Sequence, residues 1–293
     1  MMPQTQVFGQ IEGDLQSQRY SSAMRKLVEV SNEYSHNLYF LGLLAQTQTA
    51  LADYAGLVKT LTATAKISDS SAAYLDLMYV LYTQGRLNEA LDIGLFLQER
   101  DLTHVQQRSL THCLVRVYIE FSDHEGIREL AEQSKGHEED ALLVWAMGLV
   151  ALAEDDKNMA LDKFRRSVEL NAQNDRAWVS LAILHDEMGD RELALANLER
   201  ALDVNPENAT GLKLLAQWCG RSVEKVDEVI GKIQYYLDRH DFDEEMSSCY
   251  IRVLRDQRLY GPAFFEVNKL ILENPTQGHF QQVKKNLEDH AGM

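Results

Sequence analysis

The residues best suited to chemistry are nine histidines, three cysteines and a run of carboxylates, and their spacing decides what each can do. No two histidines stand four apart, the spacing that sets two imidazoles on one helix face around a metal ion. His185 lies in an apolar helical stretch and reads as a packing residue. Cys113, Cys219 and Cys249 are an odd number at wide intervals, each in apolar helical surroundings. They read as free buried thiols of a reducing compartment rather than as a disulfide frame or a metal site. Asp238, Asp241, Asp243, Glu244 and Glu245 crowd one place but lack the glycine and the ligand ladder of a calcium loop. Like Glu138, Glu139 and Asp140, they are expected to complement the dipole of a helix that begins there. Phosphate-cradling glycine loops and a nucleophile elbow are missing from the sequence. The chain is therefore expected to be no enzyme and to use no cofactor or metal, so its function must come from a surface.

The elements that build that surface are written in a repeat. With residues 141–174 moved forward by 34, Val144 falls on Trp178, Met147 on Leu181, Gly148 on Ala182, Ala151 on His185, Ala160 on Ala194, Phe164 on Leu198 and Ser167 on Ala201. Small residues land on small ones where two helices must approach closely, and large apolar residues fill the spaces between them. Met188-Gly189-Asp190 ends the first helix, with Gly189 supplying a left-handed cap. Asn205-Pro206-Glu207 ends the second, because proline cannot continue a helix interior. A pair of this kind cannot bury its apolar face alone and requires neighbours.

This period and residue pattern resemble the tetratricopeptide repeat family, most closely over residues 175–208. The resemblance implies an all-α fold, a right-handed superhelical solenoid of antiparallel helix pairs running through residues 1–293 as one domain. About eight units are expected, at 4–35, 36–70, 71–106, 107–140, 141–174, 175–208, 209–243 and 244–277, with a polar capping helix over 278–291. Three places depart from the pattern. Gly94 stands where a large aromatic is usual, Leu114 where a small residue is usual, and Phe121 where the turn glycine is usual, so the fourth pair is expected to splay. The turn of the eighth unit is expected at Tyr260-Gly261.

Composition narrows the partner. The chain of 293 residues is 45% hydrophobic with four prolines, as a helical protein with much surface to bury should be. Its net charge of −16 opposes phosphate backbones and anionic lipids, so nucleic acid is not expected as a partner. No run of 18 apolar residues occurs, so membrane insertion is not expected, and the N-terminus has neither the basic start nor the apolar core of a signal peptide. The expected setting is the cytoplasm. The expected partner is a protein or peptide, with basic flanks to suit the acidic chain.

The resemblance also implies where such a partner docks, since the first helix of each unit lines the concave face of the solenoid. Carrying the family's groove positions onto this chain gives Leu75, Tyr79 and Tyr82, then Thr111, Val115 and Tyr118. Unit five adds Leu142, Trp145, Leu149 and Leu152, and unit six adds Arg176, Val179, Ile183 and Asp186. The centre of this groove is apolar and aromatic, with Lys213, Arg252 and Arg255 making its C-terminal end basic. The lysine and asparagine that grip chaperone tails in one subclass are replaced here by Trp145 and Leu149. An adaptor or scaffold that seats a partner helix or extended segment is the expected function, with Trp145, Tyr118 and Tyr82 as anchors. The interaction region of a larger bacterial signalling regulator, or a chaperone for a secretion or pilus component, remain alternatives. Occlusion of the groove by the chain's own N-terminal helix, or by a second copy in a homodimer, also stays open.

Overall fold

The computed structural model describes residues 4–134, 136–219, 226–240, 243–275 and 278–292, which form an all-α helical repeat fold with no strand among them. They divide into two compact units, residues 1–137 and 138–293. In the first, four helix pairs follow one another: α1 (Gln4–Gln16) with α2 (Tyr20–Tyr34), α3 (Leu38–Ala50) with α4 (Tyr54–Ser68), α5 (Ser71–Thr83) with α6 (Leu87–Gln98), and α7 (His104–Phe121) with α8 (His124–Gln133). The second holds α9 (Ala141–Ala153) with α10 (Lys157–Leu170), α11 (Asp175–Glu187) with α12 (Arg191–Val204), α13 (Ala209–Cys219) with α14 (Val226–Leu237), and α15 (Glu244–Asp256) with α16 (Tyr260–Glu273). α17 (Gly278–Ala291) closes it by packing on α16. Within each unit the second helix of a pair also packs on the first helix of the next, so the inner helices share their apolar faces with two or more neighbours.

The turns explain why the pairs form. Gln18, Ala52, Gly85, Ser122, Asp155, Gly189 and Arg258 all adopt positive φ, between 54° and 83°. At each of these turns the next amide reaches back to the carbonyl five residues before it, at 2.8–2.9 Å, which closes a Schellman motif. Only two of the seven are glycine, and each of the others accepts about 1 kcal/mol of left-handed strain. At four of the seven turns aspartate then starts the second helix. Asp53, Asp123, Asp156 and Asp190 accept the amides of Gly56, Gly126, Met159 and Leu193 at 2.9–3.1 Å. The fourth pair therefore closes like the others, through Ser122 and Asp123, and does not lose its turn for want of a glycine. The last turn lies at Arg258, whereas Tyr260 and Gly261 already belong to α16.

Two sequence departures prove to be one. Leu114 on α7 is fully buried, and a Cβ built on Gly94 of α6 would stand 2.6 Å from Leu114 Cδ2 and 2.8 Å from Met78 Cε. The large residue at the usually small position fills the space left by the small residue at the usually large one, which preserves packing density. Gly126 has a similar reason. Its missing Cβ leaves room for the Tyr118 ring at 2.8 Å. In the second unit Gly148 lets α9 approach α10 so closely that a Cβ would meet the Phe164 ring at 2.4 Å.

Candidate partner-docking site

In the first unit α5 and α7, the first helices of successive pairs, pack directly on each other and leave a trough of about 420 Å³ along their seam. α5 contributes Ala72, Leu75, Asp76 and Tyr79, at the three- and four-residue spacing of one helix face. Val105, Gln106, Ser109, His112, Cys113 and Arg116 come from α7. Val105 is 77% exposed and Tyr79 is 54% exposed, so both side chains remain open to a ligand. Cys113 forms the floor, and burial pushes its thiol up to about 11 against the opposing charge of Arg116. Partial burial raises the Asp76 carboxyl above its ordinary value. Asp76 and Arg116 form no ion pair with each other or with any other described side chain.

Of the groove residues read from the sequence, Leu75 and Tyr79 line this trough and Tyr82 is half-buried on the same helix. Thr111, Val115 and Tyr118 do not line it. Val115 is fully buried, Thr111 is buried, and the Tyr118 ring lies back over Gly126 of α8. The reason is the register of α7. Thr103 and Gln106 form a capping box, with Thr103 N donating to Gln106 Oε1 at 3.0 Å, so the helix begins well before residue 107. The 34-residue repeat of Ser71, where α5 starts, falls on Val105, so a face counted from 107 is two residues out of register. A strict translation by 34 from Ala72, Leu75, Tyr79 and Tyr82 gives Gln106, Ser109, Cys113 and Arg116, all of which do line the trough. That 34-residue period is the signal in the sequence that carries the α7 face.

In the second unit the expected aromatic anchor is a packing residue. Trp145 is 6% exposed, and its indole Nε1 donates to Ser180 Oγ at 2.9 Å, while Ser180 Oγ donates to the Arg176 carbonyl at 3.0 Å. The Arg176 guanidinium lies 5.7 Å from the ring centroid, so Trp145 pins α9 to α11. Val179 is likewise buried, whereas Leu142, Leu149, Leu152 and Ile183 are half-buried and Arg176 is exposed. Asp186 is paired with Arg191, whose guanidinium also lies over the Trp218 ring. The expected basic end is largely neutralised, since Lys213 pairs with Glu245 and Arg255 with Asp256. His185 is buried among packed helices, as read. In the acidic cluster Asp243 caps α15, accepting the Met246 amide at 2.9 Å and the Tyr236 hydroxyl at 2.8 Å; Asp241 lies outside the described residues. No described helix is long and apolar enough to cross a membrane.

Paired helices joined by Schellman turns at a spacing near 34 define a helical repeat protein, and comparison with known proteins gives the class. No protein-family model matches the chain. Cellulose synthase operon protein C of Escherichia coli (strain K12) is 31% identical over 97 residues, which cover 32% of this chain and 8% of that protein. The chain thus matches only a small part of the length of that curated relative. Among solved structures, the Cut9–Hcn1 hetero-tetramer of the APC/C aligns with TM-score 0.55 at 14% identity, covering 82% of this chain and 48% of that one. A tetratricopeptide repeat protein from Parabacteroides merdae aligns with TM-score 0.52 at 15% identity, covering 87% and 99% of the two chains. The fold of the chain is that of tetratricopeptide repeat proteins.

Proposed function

We propose that this chain is a non-enzymatic interaction scaffold that seats an extended or helical segment of a partner protein in the trough between α5 and α7. The observation that carries the reading is the pairing of a cavity with apolar walls, the exposed Val105 and Tyr79 and the half-buried Leu75, on the helices whose repeat position the family uses for docking. The fold supports it, because a fold relative occurs in a hetero-tetramer with a different protein. Leu149, Leu152 and Ile183, half-buried in the second unit, are secondary candidates for contact. Free thiols at Cys113 and Cys249, raised by burial, fit a reducing setting, and we place the function in the cytoplasm.

The test is site-specific. A photo-crosslinking amino acid at position 105 in the native host should trap a defined partner, and Leu75→Asp should abolish the trapping while far-UV circular dichroism stays unchanged. Equal trapping from position 105 and from a remote exposed position, or trapping indifferent to Leu75→Asp, refutes the reading.

A further inference from the structure

The turn edge of the second unit carries large apolar residues that the repeat does not require. Met159 and Leu193 are 34 residues apart and hold the same place, the third residue after the aspartate that caps α10 or α12. Their amides donate to Asp156 Oδ1 at 2.9 Å and Asp190 Oδ1 at 3.1 Å, and both side chains are about half exposed. At the same place in other pairs stand Ser22, Gly56, Glu89, Gly126 and Pro262, so closing a pair needs no large apolar side chain there. Met188, also about half exposed, ends α11 and leads into the turn before Asp190. It follows Glu187, whose carboxylate meets Lys157 Nζ at 2.9 Å, and Lys157 stands two residues before Met159. One ion pair thus ties the end of α11 to the start of α10, with a methionine close in sequence to each of its members.

The same edge is acidic. Residues 154–157 and 186–192 hold seven carboxylates against two cations, and both cations are engaged within it, Lys157 by Glu187 and Arg191 by Asp186. A partner that covers Met159, Met188 and Leu193 dehydrates carboxylates on either side of them, and only a cationic rim offsets that cost. Methionine suits such a contact, because its flexible thioether repacks against apolar faces of different shape. Helices and their caps build the edge, and no strand among the described residues offers a ladder to extend, so the ligand must satisfy its own backbone. We propose that this edge docks an amphipathic partner helix whose apolar face covers Met159, Met188 and Leu193 and whose flanks carry lysine or arginine. The surface shares no residue with the α5–α7 trough and stands or falls independently of it.

Three fluorescein-labelled peptides test it by fluorescence polarisation on the full chain: a leucine–lysine peptide with its leucines on one helical face, the same composition in an order that forms no face, and the first with glutamate in place of lysine. The first is expected to bind about tenfold more tightly than the second, and the third not at all. Met159→Ser with Leu193→Ser should weaken the first about tenfold, since each side chain still has surface to bury under a ligand. Asp155→Lys with Glu192→Lys should weaken it about as much, whereas Glu29→Lys with Glu132→Lys, an equal change of charge at exposed positions of the other unit, should shift it less than about twofold. Circular dichroism checks folding, and Met188→Ser, in the turn, should cost about threefold and replaces the double serine variant if that one melts early. No binding of the first peptide, equal binding of the two leucine–lysine peptides, or binding of the glutamate peptide overturns the proposal. So does affinity indifferent to the serine variants, or an equal loss in the two charge-reversed variants.

Discussion

Replacing Trp145 distinguishes a partner anchor from a structural pin. Its indole is almost wholly buried, donates to Ser180 Oγ at 2.9 Å and lies under Arg176, so truncation removes both packing and a hydrogen bond. Trp145→Ala at such a site costs about 3–5 kcal/mol, most of it from lost burial and the cavity left behind. Trp145→Phe keeps much of the ring but strands the Ser180 acceptor, and the loss should be nearer 1–2 kcal/mol. At about 2–4 °C of melting temperature per kcal/mol for a unit of this size, the alanine variant should melt on the order of 10 °C lower. Urea unfolding followed by circular dichroism gives the ordering, wild type above Trp145→Phe above Trp145→Ala. Crosslinking from position 105 at a temperature where the variant is folded should be unchanged. A Trp145→Ala chain of wild-type stability that no longer captures its partner would refute the structural assignment and restore Trp145 as an anchor.

Other residues give sharp expectations of their own. Gly148→Ala forces a methyl into the Phe164 ring and should cost about 1–3 kcal/mol, whereas Gly94→Ala meets only the flexible ends of Leu114 and Met78 and should cost less; comparing their melts checks which contact can yield. Asp14, held by Lys26 at 2.7 Å, Ser22 at 2.8 Å and Arg19 at 2.8 Å, has its carboxyl lowered to about 2 from an ordinary 3.8. The stabilisation it gives is therefore present in full above the unfolded value and is lost as pH falls from about 4 towards 2. In acid titrations the wild type should lose its advantage over Asp14→Asn in that window, and a constant gap from pH 7 to 2 would contradict the assignment. Cys113, pushed up to about 11, should alkylate far more slowly at pH 8 in the folded chain than in urea, as peptide-resolved mass spectrometry can show. Equal rates in the two states would mean that the trough floor is open.

The elements and their order were legible because each rests on local chemistry that repeats. Small residues at Ala160, Ala182, Ala194 and Ala201, all fully buried, mark close helix approach whatever surrounds them. The turns are legible only in part, because glycine closes just two of the seven. What recurs through Ala52, Ser122 and Asp155 is the Schellman closure followed by an aspartate cap, and a closure made of backbone hydrogen bonds leaves little trace in residue type. Gly94 and Leu114 looked like two defects because each was weighed against its own consensus position, while packing conserves the volume they share across α6 and α7.

The site was the least legible part, and α7 shows why. Two residues of register error turn the face by about 200°, enough to exchange a buried row for an exposed one. Such a shift puts the buried Val115 and Tyr118 on the surface and takes Val105, Ser109 and Arg116 off it. Apolar residue type could not reveal the error, because core and groove rows of such a helix are both apolar and differ only in whether a neighbour covers them. Polar residues could. Asp76 and Arg116 have no place in a core without a partner, so a register that sets them against each other across a seam identifies an open face, and a register that buries them is wrong. In this chain the exposed Asp76 and the half-buried Arg116 thus mark the open face of α5 and α7, which the apolar residues of the same helices do not.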